Sequence, residues 1–417
     1  MQGRLSHSSL SGVLNTKLSE LLWAFAVTLL LFQPELQRLV PALSWLDEAA
    51  TMLLALCAFF ASRASKLKLP RFAKSSIACI LLFVFVCLIG NVFSGVPGNV
   101  VPVAIDAFTC VKFFIAAISG TVVFSRSDRL GSLLVALAKA LLIVIAACAA
   151  LSLVTNTGML YEELRYGLHP YEFVFPHPTY LAVGLAGLII LLSSDSEKNL
   201  CWISLASVLM VLTLRGKAMG FAVLALLICF LTKRGKKKLD ALQIVFLGLV
   251  ALAIGWGQIE TYFGSEGQAR YELLRAGVQI ALDNCPIGTG FASFGSAVTA
   301  DSGWYSPLYF QYGISSVWGL SQEYSAFISD SFWPTVLGQS GWIGLIAYCG
   351  AFVMLIRSIL DNADSKLPIL LFAAYLLIMS TSESACFNPS SVYLVICSIV
   401  ASRQRAVSRE TPEVAHV

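Results

Sequence analysis

The sequence predicts an all-α polytopic membrane protein with about 12 transmembrane helices. Three observations lead there. Of 417 residues, 57% are hydrophobic and 12% charged, against about 25% charged in an ordinary soluble domain. Mean hydropathy is +0.79. The apolar residues also collect in runs that approach the ~20 residues needed to cross a hydrocarbon core. A soluble fold of this length could not cover its surface with so few charges. A cytosolic enzyme, a disordered chain and a secreted disulfide scaffold are thereby excluded. The net charge of +4 is too small to point to a nucleic-acid partner, and the basic residues serve topology instead.

Residues 1–20 read as a polar cytoplasmic segment without the basic stretch, short apolar core and cleavage site of a signal peptide, so the first apolar run is expected to be retained. Nine spans are expected within 21–259, at 21–34, 46–62, 76–93, 102–124, 133–154, 178–194, 200–214, 218–232 and 241–259. Three more are expected within 333–402, at 333–356, 369–385 and 389–402, followed by a cytoplasmic tail at 403–417. Lys/Arg bias orients them. With both termini inside, the clusters 63–74 and 233–238 and most other basic residues are cytoplasmic. Only Arg38, Arg165, Arg215, Lys217, Arg270 and Arg275 then fall outside, with Lys112 and Lys139 within spans. Two external segments exceed what a connection needs: 155–177, and a loop of about seventy residues at 260–332.

Most of the 11 cysteines lie in apolar runs, where they act as small hydrophobes. Cys285 and Cys386 fall in expected external segments, where pairing is open to them. Four histidines offer no metal-ligand constellation, so no metal is expected.

Cations stationed outside run against the topological bias and are the candidate site residues. Arg215 and Lys217 occur in LTLRGKAMG between two short apolar runs. A central Arg or Lys costs about 2.5–3.5 kcal/mol on insertion scales. Interfacial snorkelling is one reading; an anion site near the outer boundary is favoured. Arg270 and Arg275 lie on an amphipathic helix expected over 269–282, with Arg270 in its first turn. A cation gains nothing from the helix dipole there, so an anionic partner is expected, either a ligand or Glu266 or Glu272. Asp330 stands at the entry to the tenth span, before Trp333 and Pro334, as a helix cap or a general base. Glu323 is a second candidate for the base. Arg165 and His177 stand beside aromatics in the first external loop, and Lys112 lies mid-span below Asp106, facing a partner helix or a cavity. Tyr305, Tyr309, Phe310, Tyr312, Trp318 and Tyr324 fit an interfacial aromatic belt, and their faces also suit the stacking of sugar rings.

Three of these segments together resemble the bacterial O-antigen polymerase/ligase family. LTLRGKAMG is similar to the family's Thr/Ser-x-Arg-Gly/Ser turn. Arg270 followed by ALDNCPIGTGFASFG is similar to its Arg, amphipathic helix, Pro and Gly-x-Gly-x-x-Phe. DSFWPTVLGQSGWIGL is similar to the stretch that opens a late span, and PHPTYLAVGLA to the entry of the sixth. The resemblance implies a GT-C-like membrane glycosyltransferase architecture in the bacterial inner (cytoplasmic) membrane, with its active site and long loop periplasmic. It implies an undecaprenyl-diphosphate-linked glycan as donor, an acceptor glycan lipid, contact with membrane lipids and a chain-length regulator protein as partner. Transfer is expected to invert the anomeric carbon without metal or cofactor. Carried over by position, Arg215 and Arg270 would hold the donor diphosphate, with Lys217 and Arg275 assisting and Arg165, His177, Lys112 and Glu323 as further substrate-binding candidates. The family's ligases carry a His-Asn pair at the start of the third segment. Here Asp330 takes about that place, eleven residues before Gly341. The departure favours a polymerase of lipid-linked repeat units over a ligase to lipid A-core. A membrane transporter is the further alternative, although no internal repeat supports it.

Overall fold

Backbone in hydrocarbon must satisfy its own hydrogen bonds, which leaves apolar runs little choice but helix. The computed structural model describes residues 7–65, 69–125, 128–233, 267–301 and 304–404. The expected ninth span at 241–259, most of the 233–238 cluster and nearly all of the tail lie outside these residues. The helices are α1 (His7–Leu39), α2 (Leu46–Ser65), α3 (Arg71–Ser94), α4 (Val100–Val123), α5 (Asp128–Ser152) and α6 (Pro178–Leu192). They continue with α7 (Ser196–Leu212), α8 (Gly216–Lys233), α9 (Ala269–Asp283), α10 (Trp333–Asp361), α11 (Leu367–Met379) and α12 (Ser390–Ser402). No strand forms among the described residues. Isolated bridges such as Leu160 to Tyr171 fold the 155–177 segment back on itself.

Among the described residues, seven segments are long and apolar enough to cross a membrane: Lys17–Leu39, Pro41–Ala64, Arg71–Ser94, Val100–Val123, Arg129–Ser152, Pro178–Leu212 and Trp333–Asp361. Gly216–Leu231, Leu367–Met379 and Ser390–Ser402 are apolar but shorter. The chain is a multi-pass membrane protein.

Helix α6 is the hub. All of its residues except Thr179 and Tyr180 are buried, as expected of a helix that is apolar all round. It packs against α5, α7, α8, α11 and α12. Tyr393 of α12 lies across Gly187, leaving no room for a side chain there, and donates its hydroxyl to the Gly184 carbonyl at 3.2 Å.

A second group pairs α3 and α9 with α10. Helix α10 breaks at Gly341 (φ 61°, ψ −163°), and the non-helical segment 286–296 fits into the break. Thr289 and Gly290 donate to the carbonyls of Gly338 (3.1 Å) and Gln339 (2.7 Å). Asn91 of α3 clamps Phe291 with both ends of its amide, at 2.8 and 2.9 Å. Asp106 of α4 accepts from the Ala292 N–H (2.6 Å), Ser296 (2.5 Å) and Gln339 (2.8 Å). Irregular backbone at membrane depth survives only where protein replaces water in this way. Gly288 needs to be glycine because its φ is +67° and a Cβ would meet the Gly341 backbone nitrogen at 2.5 Å.

Helix α1 starts at His7, within the segment expected to be cytoplasmic. Two expectations are corrected. Helix α11 ends at Met379, six residues before the expected span end, because Ser380 to Ser384 turn the chain and Glu383 leaves the apolar run. Cys285 and Cys386 are free thiols, the first exposed and the second buried, so they do not pair.

Candidate functional site

Parts of the segments 155–177, 213–218, 318–330 and 380–389 and the first turn of α9 meet at one end of the bundle. At the other end, Asp364 and Ser365 bond the Ser402 carbonyl at 2.9 Å. At the first end lies a cleft of about 610 Å³, lined among others by Tyr161, Arg165, His177, Tyr180, Arg215, Lys217, Arg270, Asp330, Glu383 and Asn388.

Three helices begin at this cleft. Helix α6 opens just after His177, whose Nδ1 accepts from the Thr179 N–H at 3.3 Å as the cap. Helix α8 follows a sharp turn in which Leu214 takes a left-handed φ of 51°, and Arg215 and Lys217 flank its first residue. Helix α9 carries Arg270 in its first turn, with no side-chain cap. Helix N-termini bring partial positive charge and unbonded N–H groups. Adding three basic side chains to three such ends concentrates positive potential where a cation alone would be disfavoured. An anion is what such a place holds.

The side chains already answer one another in part. Arg270 donates to Asp330 at 2.8 Å. Lys217 pairs with Glu383. The Arg215 guanidinium lies against the His177 imidazole and stands 5.9 Å from the centre of the Tyr161 ring. Burial, with the charges of Arg215 and Arg165, pushes His177 down to about 4, so its ring is neutral at physiological pH. Burial raises the Asp330 carboxyl above its ordinary value; the Glu383 charge adds to this, while Arg270 and Lys217 oppose it. A carboxylate whose proton affinity is raised, beside open volume, is equipped to take a proton. Asp330 is not the cap of α10: that position is Phe332, and the Asp330 carboxylate is turned to Arg270.

Of the residues expected from the sequence, Arg215, Arg270, Asp330, Lys217, Arg165 and His177 all line this one cleft. Three others do not. Arg275 bonds Glu272 (2.7 Å) and the Tyr312 carbonyl (3.3 Å), because five residues along a helix turn it about 140° away from Arg270. Lys112 is sealed between helices, 2% exposed, with Asp47 at 2.5 Å and Glu48 at 2.7 Å on α2. It faces a partner helix, not a cavity. Glu323 is exposed on the loop surface.

Sequence reasoning missed Glu383, Tyr180 and Asn388, which lay at or inside the edges of apolar runs. Glu383 carried a usable signal, since an acidic residue within an expected span marks a functional position by default. No family model, no curated protein and no solved structure matches this chain. The case for its activity therefore rests on the geometry of the cleft.

Proposed function

We propose that this chain is a membrane glycosyltransferase that polymerises oligosaccharide repeat units carried on a lipid diphosphate, of the undecaprenyl type, by metal-independent inverting transfer. The observation that carries this reading is the meeting of Arg215, Lys217 and Arg270 with three helix N-termini at one cleft that also holds Asp330. Guanidinium forks donate in pairs to phosphate and stay charged when half-buried. As the acceptor hydroxyl attacks the anomeric carbon, the bond from that carbon to the phosphate oxygen breaks. The electron pair leaves with the diphosphate, where the fixed cations stabilise it. The hydroxyl proton passes to Asp330. A narrow apolar slot between α1, α6 and α12 shares Tyr180 and Asn388 with the cleft and suits the first units of the lipid.

On this reading the membrane is the bacterial inner membrane, the cleft faces the periplasm, both termini are cytoplasmic, and the spans number twelve in a GT-C-like arrangement. The acceptor is a second glycan lipid, with a chain-length regulator as partner. Transport is disfavoured because buried α6 fills the bundle centre, where a through-going path would run.

The test is reconstitution in proteoliposomes with lipid-diphosphate-linked glycan from the source membranes. Wild type is expected to build a ladder of lengthening chains. Arg215→Ala and Arg270→Ala should each lose at least a hundredfold in rate while inserting normally. Wild-type chain lengths from either variant refute the clamp, and transfer to lipid A-core instead of a ladder makes the protein a ligase.

A further inference from the structure

The Arg270–Asp330 pair lines two pockets. Besides the cleft there is a second, of about 380 Å³, lined by Gly267, Gln268, Ala269, Arg270, Trp318, Phe327 and Asp330. The two pockets share Arg270, Trp318, Phe327 and Asp330 but differ in their cations. The first adds Arg165, Arg215 and Lys217, together with Glu163 and Glu383; among the described residues the second has no cation beyond Arg270. A diphosphate belongs in the first. The second suits a neutral ligand.

Its aromatic wall is Trp318 and Phe327, whose ring centres lie 5.0 Å apart. Tyr324, which lines the first pocket, stands 5.1 Å from Trp318. Trp318 is 69% exposed and Tyr324 45%, so ring faces remain open. The platform is held by backbone as well. Phe327 donates its N–H to the Gly319 carbonyl at 2.9 Å and lies directly on Gly319, whose φ of +85° and missing side chain make the space.

The geometry points to this pocket as the acceptor subsite, holding a pyranose ring of the growing glycan with its C–H face on Trp318 and a hydroxyl toward Asp330. A sugar ring is apolar on its faces and polar at its rim. An exposed indole beside a carboxylate matches both. This deepens the proposed function and rests on it. Donor and acceptor then meet where the two pockets share Arg270 and Asp330, so the base meets the nucleophile while Arg270 meets the leaving group.

The experiment uses the same proteoliposomes and the full-length protein, with Trp318→Ala and Trp318→Phe. Two readouts are taken: retention of the radiolabelled lipid-diphosphate glycan on the protein, and formation of glycosidic bonds at limiting substrate. Trp318→Ala should lose at least tenfold in bond formation, with retention of the lipid-diphosphate within twofold of wild type. Trp318→Phe, which keeps a ring face, should recover most of the rate. An indifferent Trp318→Ala, or one that loses lipid-diphosphate retention as Arg215→Ala does, overturns the subsite. An interfacial belt residue would behave in the first of these ways. If wild type itself forms no bond, the activity has failed, and not merely the acceptor site.

Discussion

Asp330 is where burial and charge pull against each other. Burial and the neighbouring Glu383 raise its proton affinity, while Arg270 and Lys217 lower it. A base works only when deprotonated, so activity should rise with pH through the raised value. The acid limb of kcat/KM is expected above 3.8, the ordinary carboxylate value. Glu383→Gln removes a negative neighbour, favours the ionised carboxylate and should move that limb to lower pH. Asp330→Asn should cost roughly 10²–10⁴-fold, the usual worth of a general base. A limb that stays put in Glu383→Gln, or full activity in Asp330→Asn, takes Asp330 out of the chemistry. At this scale the sequence was informative where a residue broke a rule. Arg215 and Arg270 were cations on the wrong side of a bias, and both line the cleft. Arg275 broke the same rule and yet turns to Glu272, and Glu323 is exposed on the loop, because the bias does not say which helix face or loop surface a side chain takes.

Among the elements, the α2–α4 contact carries the plainest energetic consequence. Lys112 is 2% exposed and Asp47 not at all, and Gln33 of α1 adds a hydrogen bond to Asp47 at 2.8 Å. Deleting one partner of a buried ion pair leaves charge unanswered and costs about 3–5 kcal/mol. Lys112→Ala should therefore lower the thermal unfolding temperature in detergent while the folded fraction keeps its transfer rate. An unchanged melt with lost activity would return Lys112 to the substrate. The positions of most helices could be read from hydropathy, since apolar runs have few folded alternatives. Their ends were less legible: the expected span ran on to 385, although the polar Ser-Thr-Ser-Glu-Ser stretch at 380–384 already ends the apolar run and turns the chain after Met379. The insertion of 286–296 into α10 was also invisible, being written in long-range partners such as Asn91 and Asp106.

For the whole molecule, the grouping of parts of 155–177, 213–218, 318–330 and 380–389 with the first turn of α9 at one end makes sidedness testable. Asn156 is exposed in the 155–177 segment at that end, and Asp364 lies at the other. A membrane-impermeant maleimide applied to intact cells should label Asn156→Cys above the wild-type background. It should not label Asp364→Cys above that background until the membrane is opened. The reverse pattern would put the cleft on the cytoplasmic side and end the periplasmic assignment. The membrane class was legible from composition alone. The hub position of α6 was legible only in part, because its uniform apolarity foretells burial but not which helices surround it.

Asp106 accepts hydrogen bonds from groups that lie 186, 190 and 233 residues further along the chain. During synthesis α4 is therefore made long before anything that satisfies its carboxylate exists. Until the later segments emerge, the early helices carry a polar group that lipid cannot serve. Final assembly is thus deferred: the nascent protein must be sheltered or kept loosely associated, and closure of the α3–α4–α10 seam is a late step of biogenesis that fastens the cleft end only once α10 has been delivered.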